Sequence, residues 1–168
     1  MKKFLFIVSI LLMWVTNSYS KELKIGYVDF FKVYNEYEKT KEYEKIIDEK
    51  KENKEQELKT KAKELEKLQN KISMLNEKEQ EKEKEDFRKK LTDFEKMRRS
   101  SYIDLKKERD EMMKEIITDI ESVIRNYAKK NNFDFVLNEN IVLFGDPSVD
   151  ITKDILKIVN EEYRKKKQ

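Results

Sequence analysis

The sequence predicts an α+β, mostly α protein: a long antiparallel helical (coiled-coil) hairpin arm projecting from a small β-strand oligomerisation body that closes with a C-terminal helix. Three observations carry this. The glycines are Gly26 and Gly145 and the proline is Pro147, so the stretch from 27 to 144 lacks the usual loop punctuation. Charged residues make up 43% of the chain against 38% hydrophobic, too polar for one compact core, and so long a polar segment is either disordered or helical. Apolar residues at three-and-four spacing decide for helix.

The chain opens with a leader-like segment. Lys2 and Lys3 precede an apolar run from Phe4 to Val15, and Ser18 and Ser20 sit where a signal peptidase needs small residues, so a signal peptide over 1–20 and export are expected. Its removal leaves 36 basic and 35 acidic side chains, a formal charge of +1. Both signs interleave along the chain with no aromatic-studded basic stretch, which argues against nucleic acid as a partner. The absence of cysteine and histidine excludes disulfides, thiol nucleophiles, imidazole bases and ordinary zinc or haem sites. No catalytic residue, metal site or cofactor is assigned. The carboxylates lie on solvated helices with no pocket to shift them, so an enzyme is not expected.

Leu23, Ile25 and Tyr27 alternate as in a strand. Helical spacing starts at Tyr34 and runs through Tyr37, Tyr43, Ile46 and Ile47. The polar run Asp48 to Glu57 interrupts it, and Leu58, Leu65, Leu68 and Ile72 resume it. A second seam holds Phe87, Leu91, Phe94, Leu105, Met112, Ile116, Ile120, Val123 and Tyr127. Read backward, it repeats spacings of the first, pairing Tyr43 with Ile116 and Ile72 with Phe87. The fold-back then falls near Glu79 and Gln80, in a tip over 76–84 that frays for want of glycine. Arms of about 45 residues would reach roughly 65–70 Å. Their seam is expected to be weakest halfway along, where Asp48 to Glu57 faces a stretch whose main apolar residue is Leu105.

Beyond the arm, Phe133 to Leu137 alternates as a strand. Asn138 to Asn140 reads as a polar turn, and Ile141 to Phe144 as a further, very apolar strand. Thr152 is the expected N-cap of the last helix, with Ile151 and Leu156 as a hydrophobic staple and Ile155, Val159 and Tyr163 on its buried side. The body is therefore 21–33 with 128–168, and the arm 34–127. So small a body with open strand edges is expected to complete its core by oligomerising, through Ile25, Tyr27, Phe135, Leu137, Val142 and Phe144.

The segments Lys24 to Asp29, Phe133 to Asn140 and Asp150 to Leu156, in this strand–arm–strand order, resemble the Skp/OmpH family of periplasmic chaperones. The resemblance implies a homotrimer with a central β-barrel body and three arms around a cavity. It also implies a function: ATP-independent holding of unfolded outer-membrane β-barrel proteins in the periplasm, preventing their aggregation. Arg98 and Arg99, near Lys106, Lys107 and Arg109, are similar to a family pair associated with lipopolysaccharide or membrane-surface contact; ordinary solvated arm charges are the other reading. Candidate client contacts are Tyr43, Met97, Tyr102, Met112 and Met113, most of which seam packing also explains. The competing functional class is a structural coiled-coil spacer or adaptor of the cell envelope.

Overall fold

A computed structural model describes residues 22–168, so the expected leader at 1–20 lies outside the described residues. Strand β1 (Ile25–Val28) leads into a short helix α1 (Phe30–Glu36), then α2 (Glu38–Ser73), α3 (Glu77–Lys130), strand β2 (Phe135–Asn138) and a final helix α4 (Thr152–Lys166). Two 3-10 turns, Glu139–Ile141 and Pro147–Val149, lie between β2 and α4.

Helices α2 and α3, of 36 and 54 residues, form the antiparallel arm. At 1.5 Å per residue they run about 54 and 81 Å, so α3 has the extra length that reaches down into the body. Strands β1 and β2 pair in parallel, Ile25 opposite Phe135 and Tyr27 opposite Leu137. Parallel neighbours need a long crossover between them, and the whole arm supplies it. On its other side β1 makes an isolated parallel bridge to Asp150 through Tyr27. The sheet thus has two strands, β1 and β2, and that single bridge on the far side of β1. Gly26 faces inward where the Phe133 ring packs; a Cβ there would lie 2.8 Å from Phe133 Cε1, so any larger residue would have to displace that ring.

The core is built from Val28, Val33 and Tyr37, from Ile116, Ile120 and Val123 of α3, and from Ile151, Ile155 and Val159 around α4. These follow from the helical spacing: Ile116, Ile120 and Val123 share one face of α3, Ile155 and Val159 one face of α4. Asp29 caps α1, its Oδ1 accepting from Lys32 N at 2.8 Å. At the far end of α3, Asn132 takes a positive φ of 56°. Phe133 N then donates to Ala128 O at 2.9 Å, which closes the helix with an asparagine where glycine is more usual.

Four expectations are corrected. First, Ile141 to Phe144 is not a strand: a 3-10 turn ends at Ile141 and the following residues form no ladder. A strand needs a neighbour to receive its hydrogen bonds, and this segment has none within its own chain. Second, the arm turns early and tightly. The turn is Met74, Leu75 and Asn76, and the stop signal is Asn76, whose Oδ1 accepts from Glu79 N at 3.1 Å as the cap of α3. Glu79 and Gln80 are thus in the first helical turn rather than at the fold-back. Lower in the arm the expected register holds to within one residue, since Tyr43 meets Glu115 and Lys50 meets Glu108. Nearer the tip it drifts, and Lys71 pairs with Glu83.

Third, Thr152 is already the first residue of α4 and caps nothing there. Its hydroxyl instead accepts from Asp29 N at 2.9 Å, and Asp150 Oδ1 accepts from Thr152 N. Fourth, the arm does not begin as one continuous helix from Tyr34. Tyr37, at φ −64° and ψ 127°, breaks α1 from α2 without any proline or glycine.

Candidate functional site

Three regions concentrate unusual chemistry. At the arm base, Lys39 is only 5% exposed. Its Nζ lies 2.6 Å from both Glu115 Oε1 and Asp119 Oδ2 of α3. Tyr37 Oη donates to Asp119 at 3.2 Å and Tyr43 Oη to Glu115 at 2.8 Å. Burial by itself would disfavour the Lys39 charge. The hydrogen bonds to Asp119 and Glu115 outweigh it and raise the lysine's pKa above its ordinary value. The same bonds from Lys39 and Tyr43 hold the Glu115 carboxyl below its ordinary range. Burial, then the Asp119 charge, push the Tyr37 phenol upward.

The second region is the outer side of the sheet. Ile25 and Phe135, opposite each other in register, are both exposed, as is Leu23 just before β1. The loop beyond β2 adds Ile141, Leu143 and Phe144, the last 91% exposed. Tyr27 is half-buried: a Cβ on Gly145 would lie 2.6 Å from its ring, so the loop passes close over it. Sequence reasoning assigned Ile25, Tyr27, Phe135 and Leu137 to oligomerisation strands; in the structure they pair with one another within one chain, Ile25 with Phe135 and Tyr27 with Leu137. Val142 and Phe144 lie in the loop after β2, outside any strand.

The third region is the middle of the arm. A cleft of about 680 Å³ runs between α2 and α3, with Ile47, Leu58, Leu105 and Met113 among its apolar lining and Lys51, Lys54, Arg98 and Arg109 among its cations. Tyr102, 72% exposed, lines this cleft and a neighbouring one shared with Arg98 and Arg99. Arg98 is also paired with Glu95 at 2.6 Å. The other expected contacts scatter. Met97 is half-buried in the seam nearer the tip with Leu65, Leu68 and Phe94, and Tyr43 belongs to the ionic base. Met112 and Met113 flank a cleft with Tyr43 and Ile47. Sequence reasoning missed Lys39, Glu115 and Asp119; in a chain where 43% of residues are charged, a buried lysine carries no distinguishing mark.

The match to other proteins follows this architecture. Residues 24–159 match the family model described as outer membrane protein (OmpH-like). The chain belongs to the OmpH-like family. A crystal structure of an OmpH-like protein from Caulobacter crescentus CB15 superposes on this OmpH-like chain with a TM-score of 0.76. It covers 84% of this chain and 86% of that one at 9% identity, a likeness of fold. The chaperone protein Skp of Yersinia enterocolitica is 28% identical over 95 residues, which are 56% of this chain and 58% of that protein. Outer membrane p25 of Pasteurella multocida (strain Pm70) is 35% identical over 54 residues, 32% of this chain and 28% of that one. The matched segments therefore span less than two thirds of either relative.

Proposed function

We propose that this chain is an ATP-independent holdase chaperone of the periplasm, reached through a cleaved leader. It binds unfolded outer-membrane β-barrel proteins and prevents their aggregation. The observation that carries the reading is the arm. On α2 no hydrophobic residue is buried between Thr40 and Ile72, and on α3 none is buried between Glu77 and Ile116. Apolar side chains such as Leu58, Leu105 and Met113 therefore stay at the surface of a charged cleft instead of being consumed in a tight seam. A client with no fixed shape is held by adaptable, scattered contacts of this kind, methionine among them, rather than by one deep pocket.

In this reading the exposed strip of Ile25, Phe135, Ile141 and Phe144 is covered by further copies of the chain in a homotrimer, which removes an apolar edge otherwise prone to aggregation. Arg98 and Arg99, with Tyr102 beside them, give the arm its contact for the phosphates of lipopolysaccharide or a membrane surface.

The test is light scattering while a urea-unfolded outer-membrane barrel protein is diluted into buffer with or without residues 21–168. Suppressed scattering at about one trimer per client, unchanged by ATP, is the expected result. Undiminished aggregation in the presence of folded, oligomeric protein would overturn the reading and favour an envelope spacer.

A further inference from the structure

The clefts along the arm differ in charge. Nearer the tip, Lys61 and Lys90 are set against Glu64 and Asp93, and nearer the base Lys51 and Arg109 against Glu44 and Asp48, so each is balanced. The mid-arm cleft is not: beside Glu55 and Asp110 it holds Lys51, Lys54, Arg98, Lys106 and Arg109. Three of those cations already have carboxylates, Lys51 with Glu55, Lys54 with Glu57 and Arg98 with Glu95. Lys106 and Arg109, one turn apart on α3, pair with no carboxylate among the described residues.

Between these cations lies an apolar lining of half-buried Leu58 and Leu105 and of Met113, which is 43% exposed. It stays open because Asp48 to Glu57 sets no apolar side chain against Leu105. From Ile47 to Leu58, both in the lining, α2 rises about 16 Å, the reach of about five residues of extended chain. An occupant must therefore bring an apolar anchor and negative charge for Lys106 and Arg109, and it meets Glu55 and Asp110 as acceptors. A peptide satisfies all three, since its backbone N–H groups can donate to those carboxylates. A lipid phosphate brings no such donors and faces both carboxylates. A second copy of the arm would carry the same cations into the cleft, like against like.

We propose that the mid-arm cleft is a subsite for acidic, extended segments of the unfolded client. One aromatic or large aliphatic side chain seats among Leu58, Leu105 and Met113, and neighbouring carboxylates meet Lys106 and Arg109. The inference rests on the holdase reading for its occupant and adds a charge preference to it. Both cations are exposed, so the preference is modest and fades as salt rises.

Residues 21–168 hold no tryptophan, so a short peptide with one central tryptophan reports its own seating by a blue shift in emission. Peptides sharing that centre carry two aspartates, two asparagines or two lysines beside it. At low salt the aspartate peptide is expected to bind about tenfold more tightly than the lysine peptide, with asparagine between them. K106Q/R109Q should bring the affinities to within about twofold of one another, while K78Q/K82Q, an equal loss of charge at the exposed tip, leaves the preference intact. Leu105→Ala should weaken the aspartate and lysine peptides alike. Equal affinities in the wild type, or a preference that survives in K106Q/R109Q, overturns the inference; should that variant lose its helices, R109Q alone decides by the same measure. Calorimetric binding of dodecyl phosphate with none of the peptides also overturns it and gives the cleft to an anionic lipid. Light scattering on the same preparations keeps the two readings apart. Suppressed aggregation without peptide discrimination sinks the subsite alone, and discrimination without suppression upholds the subsite and sinks the holdase.

Discussion

The arm base and the mid-arm are made from the same two helices yet differ in how they hold together. At the base, Ile116, Ile120 and Val123 are buried against the body, and Lys39 is enclosed by two carboxylates. Between Asp48 and Glu57 every residue of α2 is exposed, and opposite it Ser101 is the only buried residue of α3. Lys50 and Glu108 tie the two helices there across the seam, while pairs such as Lys51–Glu55 run along one helix. Pairs of that kind support a helix by a few tenths of a kcal/mol each and do nothing to join it to its neighbour. A helical pattern whose apolar positions lapse between Asp48 and Glu57 thus yields a stiff root and a compliant middle, because helix formation and helix association draw on different residues.

The largest expected effect separates the two regions. Ile120→Ala, at a fully buried site, should cost about 3 kcal/mol in urea unfolding, while Leu105→Ala in the half-exposed seam should cost no more than about 1 kcal/mol. Equal losses would erase the contrast. Next comes Lys39→Met, which leaves Glu115 and Asp119 facing each other without their shared cation. Because the Glu115 side chain is 55% exposed, the cost should be about 2 kcal/mol rather than that of a fully buried pair. A neutral outcome would mean that shape, not charge, holds the base.

A smaller change of opposite sign is expected at Thr40, whose hydroxyl is buried with no hydrogen-bond partner. Thr40→Val removes an unsatisfied group while keeping the shape, and thermal denaturation should show a gain of about 1 kcal/mol. The smallest effect is acid dependence. Hydrogen bonds from Arg164, Lys167 and Lys39 hold the carboxyls of Glu38, Glu42 and Glu115 below their ordinary range. Depressed carboxylates contribute stability that is present at neutral pH. It is lost as the pH falls below the unfolded glutamate value of about 4.3 and through the lower folded values. Hydrogen exchange between pH 7 and 3 should therefore show the last turns of α4 loosening before the mid-arm changes.

Much of this was legible in the residues. The arm followed from the missing glycine and proline and from the seam, and the lower register was read to within one residue because Tyr43 and Ile116 are unmistakable seam positions. The turn was not, because Asn76 caps α3 with a side chain while the expectation looked for a glycine. The break at Tyr37 carries no local signal at all; Asn160, 122 positions from Glu38, stabilises it. The strand expected at Ile141 to Phe144 has the right composition, but composition does not supply a hydrogen-bonding neighbour. At the candidate sites, pattern put Ile25 and Phe135 on strands, and they lie on β1 and β2. The ionic base escaped because it depends on which few of many charges meet in three dimensions.

The parallel pairing of β1 with β2 also dictates an order of events. Ile25 and Phe135 are neighbours in the sheet but 110 positions apart in the chain. In a chain that emerges N-terminus first, the first strand waits unpaired while the entire arm follows, and helices form in microseconds during that wait. The loop to be closed is then a nearly rigid hairpin whose ends already lie side by side, not a floppy chain of the same length, which lowers the entropic cost of bringing the strands together. The body closes last, from the C-terminal side, and a chain stopped short of Phe135 would possess its longest element and lack the sheet that anchors it.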